Sequence, residues 1–490
     1  MTILRLLFIP VFFGLVSLIP APKQFTRFNF VLGALILAAS SWLFVIHAHT
    51  KSRIFAFGEN LMMDPLAALF VLLITSVGLL SAIYAAGYLF REGDAAISPL
   101  RLRRYAFFFH LFLFTMLLTV FSNNLGLMWI AIEGTTLASA FLVNVDDKKS
   151  SIEAAWKYLI LCTVGIALAL FGIILVYYSA ISKMSGGERE LLLNWTFLLD
   201  KSKSLDPQTI KLAFIFILVG YGTKAGLAPF HSWLPDAHSQ APSPVSALLS
   251  GVLLSCATYG ILRFHILVQA ATGSSFSGSL LVLFGLISVA VATPFILEQS
   301  DYKRLLAYSS VEHMGLAAVG FGFGGVWGTY GALLHIVNHA VTKSLLFYSS
   351  GHLLHHFQTK EIKKIEGIFR KNPFLGSVFF FAALAIAGMP PFSIFVSEFF
   401  ILSAVFSAKR FVVCTILLFL LALIFAGFLR HAGQMTFGSP KEPHRPEKSF
   451  LMDSVLGLGM LLILVMGFYI PAPFHELIKE ASLIVQGVAS

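Results

Sequence analysis

Charged side chains are scarce in this chain. Asp, Glu, Lys and Arg make up 12% of its 490 residues, while 57% are hydrophobic. That balance excludes a soluble globular protein and leaves an all-α polytopic membrane protein. Cysteine is nearly lacking. Cys162, Cys256 and Cys414 stand far apart inside apolar stretches, and no spacing suits an iron–sulfur cluster, a zinc site or a disulfide framework. No metal and no cofactor are expected, and the chain should carry no catalytic or redox centre of its own. Long polar stretches are lacking too. Only two connections, 182–207 and 437–449, exceed a few residues, and neither could fold as a domain. The formal net charge of +10 resides in loops between apolar segments, so membrane topology accounts for it and nucleic acid does not.

What the chain does have is a series of apolar runs, each of about 20 residues and long enough to cross a hydrocarbon core of about 30 Å. Fourteen are read, over 2–20, 28–48, 64–90, 105–121, 124–145, 152–179, 209–229, 244–268, 276–297, 302–322, 326–354, 374–407, 411–430 and 450–470. The first ends in Ile-Pro-Ala-Pro; a cleaved signal peptide is the alternative to the retained helix we read there. Of the 31 Lys and Arg outside the membrane, 19 fall in odd-numbered loops and 12 in even loops and termini. Odd loops are therefore expected on the cytoplasmic side, with both termini outside. The heaviest basic clusters are Arg101, Arg103 and Arg104; Lys360 to Lys371; and Arg430 to Lys448.

Six ionisable residues interrupt the runs: Lys157, Lys224 and Lys343, with Glu133, Glu312 and Glu398. Each costs about 2.5 to 3.5 kcal/mol at the bilayer centre, so a chain that retains six is expected to use them for ion movement. Two segments also carry helix breakers. Segment seven contains Gly220-Tyr-Gly-Thr-Lys224-Ala-Gly226-Leu-Ala-Pro229, and segment twelve contains Gly388-Met-Pro390-Pro391 ahead of Glu398. Broken helices at matching positions predict inverted repeats with an ion site at each break. The chain divides accordingly into 1–100 (segments one to three), 101–270 (four to eight), 271–437 (nine to thirteen) and 438–490 (segment fourteen and a short tail).

In segment eleven His335, His339 and Lys343 lie at i, i+4 and i+8 and share one face, a polar stripe about 12 Å long. A metal reading of the two histidines lacks the remaining ligands of a zinc signature. Glu312 and His313 are consecutive in segment ten, and Glu312 is read as the one facing the path. His110, among phenylalanines, reads as a core residue. The stretch His231-Ser-Trp-Leu-Pro-Asp236-Ala-His238 reads as polar and proline-rich, capping segment eight, and two readings stand for it: His231, Asp236 and His238 admit protons from water, or it is a solvated loop with helix-capping residues. Gly320-Phe-Gly322-Phe-Gly-Gly325 matches a dinucleotide loop only by accident, since it ends a membrane helix. His352, His355 and His356 receive no role.

The runs around Lys224, Asp301-Tyr-Lys-Arg-Leu-Leu-Ala-Tyr-Ser-Ser310, and His335-Ile-Val-Asn-His-Ala-Val-Thr-Lys343 resemble the antiporter-like proton-translocating subunits of complex I, membrane-bound hydrogenases and multisubunit cation/proton antiporters. The resemblance covers segments three to thirteen. Glu312-His-Met-Gly315 and the Ser246 to Leu254 run most resemble the hydrogenase-4 F-type subunit. It implies a Glu133–Lys224 charge pair tuned by Lys157, a central Lys343 flanked by His335 and His339, and an outer exit past Glu398. It also implies two inverted five-helix repeats, neighbouring membrane subunits with a peripheral redox arm, and a place in the inner (plasma) membrane. Many relatives carry His or Lys in segment eight where this chain has Ser250 or Ser255, so serine and water would bridge that step. The tail after segment fourteen is too short for the lateral helix some relatives carry. The rivals are a subunit of a sodium/proton antiporter or of a proton-driven inorganic-carbon uptake complex, and a passive anchor with a degenerate channel.

Overall fold

A computed structural model describes residues 2–48, 53–90, 97–145, 147–181, 191–439 and 449–488. The basic residues Lys441, Arg445 and Lys448 and the stretch 182–190 lie outside them. In chain order the helices are α1 (Ile3–Leu18), α2 (Lys23–Ala48), α3 (Pro65–Tyr88), α4 (Pro99–Phe121), α5 (Leu125–Val143), α6 (Lys149–Ile181), α7 (Trp195–Asp200), α8 (Pro207–Ala225), α9 (Trp233–Gln240), α10 (Ser243–Leu248), α11 (Leu254–Thr272), α12 (Phe276–Leu297), α13 (Tyr302–Phe323), α14 (Gly325–Phe357), α15 (Ile368–Lys371), α16 (Pro373–Ile386), α17 (Ser393–Ser407), α18 (Phe411–Thr436), α19 (Phe450–Phe468) and α20 (Ala472–Val485). Strands β1 (Ile54–Ala56) and β2 (Leu61–Met63) form an antiparallel hairpin before α3.

Four helices start on the same local signal, a capping side chain followed by proline: Asp64-Pro65, Ser98-Pro99, Asp206-Pro207 and Asn372-Pro373. The cap oxygen accepts a backbone N–H of the first turn, and proline has none to satisfy. Among the described residues nine helices are long and apolar enough to cross a membrane, counting Ser243–Thr272 as one. That one, α10 and α11 joined by a π turn over Leu249–Leu253, is buried at every residue from Ser243 to Val268 and forms the centre of the bundle. The peripheral α18 and α19 bury few of their residues and present phenylalanines and leucines outward. Small residues let neighbouring helices touch: a Cβ on Gly285 would lie 2.5 Å from the Gly315 carbonyl. Gly322 meets Gly278 the same way, which gives the glycine-rich run at the end of α13 a packing role.

Both expected breaks are present. Helix α8 ends at Gly226, whose φ of 78° is the left-handed conformation glycine favours, and the chain restarts at α9. Trp233 Nε1 donates to the Thr223 carbonyl (2.8 Å), which also accepts the Gly226 N–H (3.3 Å), so the last turn before the break is tied to α9. The second break separates α16 from α17, with Gly388 at φ 79°. The first break corrects the sequence reading of the stretch after it. Residues 233–240 form a helix and not a solvated loop, because Trp233, Leu234, Ala237 and His238 insert between α6 and α13. The short tail holds a further helix, α20, which is amphipathic and buries Leu477, Ile478, Ala481 and Val485 against α3 and α14.

Arg263, counted above among loop charges, is fully buried in α11. Its guanidinium donates to both Asp64 oxygens (2.8 and 2.7 Å) and to Tyr259 Oη, and stacks 4.4 Å from the Trp195 ring centroid. Asp64 also caps α3, so one carboxylate ties the start of α3 to the middle of α11.

Candidate functional site

Lys224 ends α8 just before the break, fully buried. Its Nζ donates to Thr136 Oγ1 of α5 (2.8 Å) and Tyr158 Oη of α6 (2.6 Å). The Thr136 hydroxyl donates in turn to Glu133 Oε2 (3.3 Å), and Thr163 donates to Oε1 (2.8 Å). Lys224 and Glu133 are thus joined through one threonine hydroxyl, not by a direct ion pair. Lys157 lies elsewhere. Its side chain is 50% exposed and pairs with Glu153 (2.6 Å) and Asp236 (3.5 Å). The neighbour facing Lys224 is Tyr158, since consecutive helical residues point about 100° apart.

The step from Lys224 to the centre runs past α10 and its π turn. There Ser250 Oγ lies 2.7 Å from Ser310 Oγ of α13. His238 of α9 is fully buried, stacked on Phe347 at 4.9 Å and within electrostatic reach of Lys303 and Lys343. Lys303 is a further buried lysine that sequence reading assigned to a loop; its Nζ donates to the Ala241 carbonyl (2.6 Å). His231, at the break, is also buried.

On α14, His335, His339 and Lys343 are all buried and all face α13. Lys343 Nζ donates to the Leu306 carbonyl (2.7 Å) and faces Glu312 electrostatically. His335 Nε2 lies 3.0 Å from His313 Nδ1, and its Nδ1 3.0 Å from Ser397 Oγ of α17. The His339 ring lies 5.3 Å from that of His313, and neither of its nitrogens has a protein hydrogen-bond partner. His313 Nε2 is 3.2 Å from Glu312 Oε2. The expectation that only Glu312 faces the path is therefore corrected: α13 is buried on every side at this level, so both neighbouring directions meet polar partners.

Glu312, His313 and Glu398 bring one ligand atom each within 4.8 Å of one another, the grouping among the described residues that could hold a cation. Two carboxylates and an imidazole at that spacing share protons as one unit. Glu398 reaches the cluster because Gly388 has no side chain: a Cβ there would stand 2.1 Å from Glu398 Oε2. Gly388→Ala is expected to displace that carboxylate and to add about 1 to 2 kcal/mol for a left-handed non-glycine residue. The melting temperature of the solubilised protein should fall, whereas Gly433→Ala, with nothing within 4 Å of the added methyl, should leave it unchanged. Beyond Glu398, Tyr330 Oη bonds His475 Nδ1 of α20 (2.7 Å). His110 packs among Phe13, Phe30 and Phe109, apart from these groups.

Sequence reading set His313 aside for Glu312 and missed Thr136, Tyr158 and Lys303. Of these last three only Lys303 carried a signal, a basic residue one position into an apolar run.

Residues 122–425 match the family model described as NADH:quinone oxidoreductase/Mrp antiporter, TM. Residues 51–98 match that of the complex I chain 5 N-terminus. A hydrogenase-4 component F homolog from Methylacidiphilum infernorum is 39% identical over 430 residues, covering 88% of this chain and 89% of that protein. Among solved structures, a chain of the archaeal membrane-bound sulfane sulfur reductase superposes with a TM-score of 0.88 at 24% identity, over 99% of each chain. A chain of the Mrp complex from a Dietzia species superposes with a TM-score of 0.85 at 17% identity, over 99% of this chain and 98% of that one. At these identities both show the shared fold.

Proposed function

The chain belongs to the NADH:quinone oxidoreductase/Mrp antiporter transmembrane family, and from that premise we propose that it carries protons across the membrane as one subunit of a redox complex related to group 4 hydrogenases and complex I. It is a multi-pass, antiporter-like membrane subunit. The observation that carries the proton reading is the polar axis, half-buried at Glu133 and buried from Thr136 onward. Glu133, Thr136 and Lys224 lead by Ser250 and Ser310 to Lys343, His238 and His339, and then to Glu312, His313, His335 and Glu398. Buried polar groups pair with protein or with water. Those on this axis with no protein partner, including both nitrogens of His238 and His339 and Glu312 Oε1, are where hydration completes the chain.

In this reading fourteen segments cross the membrane, with α8 and α9 forming one broken span and α16 and α17 another. Residues 101–270 and 271–437 are the inverted repeats, 1–100 and 438–490 flank them, and both termini lie outside the inner membrane. Lys157, paired with Glu153 and Asp236, acts from the basic end of α6 and not from inside the axis. The partners are neighbouring membrane subunits and a peripheral redox arm.

The test is purification of the assembled complex, identification of its companions by mass spectrometry, and proton flux in vesicles. Redox companions with proton uptake are expected. A set of antiporter subunits with sodium-dependent flux would overturn the redox placement. Within the axis, Thr136→Val retains the side-chain volume and removes a hydrogen bond to a charged group, a loss of about 1.5 kcal/mol or about tenfold in rate. Flux should fall by that factor with assembly intact.

A further inference from the structure

The cluster of Glu312, His313 and Glu398 holds ligand atoms that the protein itself does not satisfy. His313 is fully buried, and its two ring nitrogens are used unequally. Nδ1 lies 3.0 Å from His335 Nε2, whereas Nε2 faces Glu312 Oε2 at 3.2 Å, outside hydrogen-bond geometry, and has no hydrogen-bond partner. Glu312 is 1% exposed and leaves its Oε1 without a partner as well. Glu398 of α17 brings the third ligand atom within 4.8 Å of the other two.

Hydrogen counting shows how His313 is held. The Ser397 hydroxyl gives its one hydrogen to the Ile394 carbonyl (2.9 Å), so His335 Nδ1, 3.0 Å from the same oxygen, is the donor to it. As neutral imidazoles, His335 then accepts at Nε2 from His313 Nδ1, and His313 presents a lone pair at Nε2 to the Glu312 carboxylate. A cation between these two acceptors makes their contact attractive. A histidine whose other ring N–H is held by a fixed acceptor is the usual arrangement of a metal ligand. Zinc bonds of about 2.0 to 2.2 Å place tetrahedral ligands about 3.4 Å apart, and His313 Nε2 and Glu312 Oε2 already stand close to that separation. Glu398 completes the set by closing at most about 1.4 Å. The helix break beside it gives an entry: Gly388 is half-buried, and Met389, Pro390 and Pro391 are exposed.

We propose that Glu312, His313 and Glu398 bind a divalent d-block cation, Zn²⁺ in preference to others, with water in the fourth position. An imidazole among the ligands selects against Ca²⁺ and Mg²⁺, which take oxygen. Lys343 lies within electrostatic reach of Glu312, so a bound dication replaces it as the counter-charge of that carboxylate and closes the axis there. The block rests on the proton-carrying reading above; the binding does not.

The experiment titrates the purified full-length chain with Zn²⁺, counts bound metal after dialysis, and repeats the titration with Co²⁺ as a spectroscopic stand-in. One zinc per chain is expected, with the visible absorption of tetrahedral Co²⁺ and a rise in melting temperature. His313→Gln and Glu398→Gln should each weaken binding more than about tenfold, and their melting without metal reports their fold separately. Gly388→Ala keeps all three ligands but crowds Glu398, so it should weaken binding too. His355→Ala with His356→Ala, away from the cluster, should change nothing. No bound zinc, or binding unchanged in both ligand variants, would overturn the site, the second marking zinc held at other histidines. Stabilisation by Na⁺ and not by Zn²⁺ would overturn the choice of metal. In vesicles holding the whole complex, zinc should stop most of the proton flux and a chelator should restore it. Zinc bound at the cluster with flux unchanged would take the cluster off the proton path and leave the metal site standing.

Discussion

Lys343→Ala stops proton flux through the assembled complex, leaving at most about one hundredth of the wild-type rate. Lys343 is the residue at which the arms of the axis meet. Its side-chain nitrogen is fully buried, donates to the Leu306 carbonyl, and lies within electrostatic reach of Glu312, His238 and His339. On the side of Lys224, Ser250 and Ser310 bring only hydroxyls to this level. Lys224→Ala should be nearly as severe, since Thr136 and Tyr158 would lose their only ammonium partner in the described structure. Steps in series do not add, so the double variant should be no slower than the worse single one. Vesicle acidification in the double variant at anything near the wild-type rate would refute this assignment of the path.

Arg263→Ala should destabilise the protein by about 3 to 5 kcal/mol, because it leaves the Asp64 carboxylate buried without its counter-ion. Asp64 is bonded to both guanidinium nitrogens and to the Ala67 backbone, and only the last contact would survive. Asp64→Leu with Arg263→Leu should recover much of the loss, since apolar residues in place of a buried pair are often neutral. Thermal unfolding of the solubilised protein separates the three. A melting temperature unchanged in Arg263→Ala would show that the pair is not what ties α3 to α11. Proton flux in the double variant should stay near wild type, for the pair lies away from Lys224 and Lys343.

The site was legible where single residues violate their surroundings. A lysine or glutamate inside an apolar run is conspicuous without any structure, and so are glycine and proline where a helix should continue. That is how Lys224, Lys343, Glu312 and Glu398 were found, and how the breaks after Ala225 and before Ser393 were expected. What was misread follows from direction. Lys157 and Tyr158 are neighbours in sequence, yet one points to Glu153 and Asp236 and the other to Lys224. His313 was set aside for Glu312 on the assumption of one polar groove, but α13 has partners all around.

Composition and order alone determined that this chain crosses a membrane many times, that it keeps titratable groups at depth, and where its helices start and stop. Those are local properties, set by hydrophobic length, capping side chains and residues that cannot continue a helix. The tertiary structure decided which polar atoms meet. Asp64 finds Arg263 across 199 positions, Tyr84 finds His352 across 268, and the π turn sets Ser250 against Ser310. A hydrogen bond requires donor and acceptor within about 3 Å. Helix rotation and depth, not sequence spacing, establish that closeness, and both are set by the small residues and close backbone contacts between neighbouring helices.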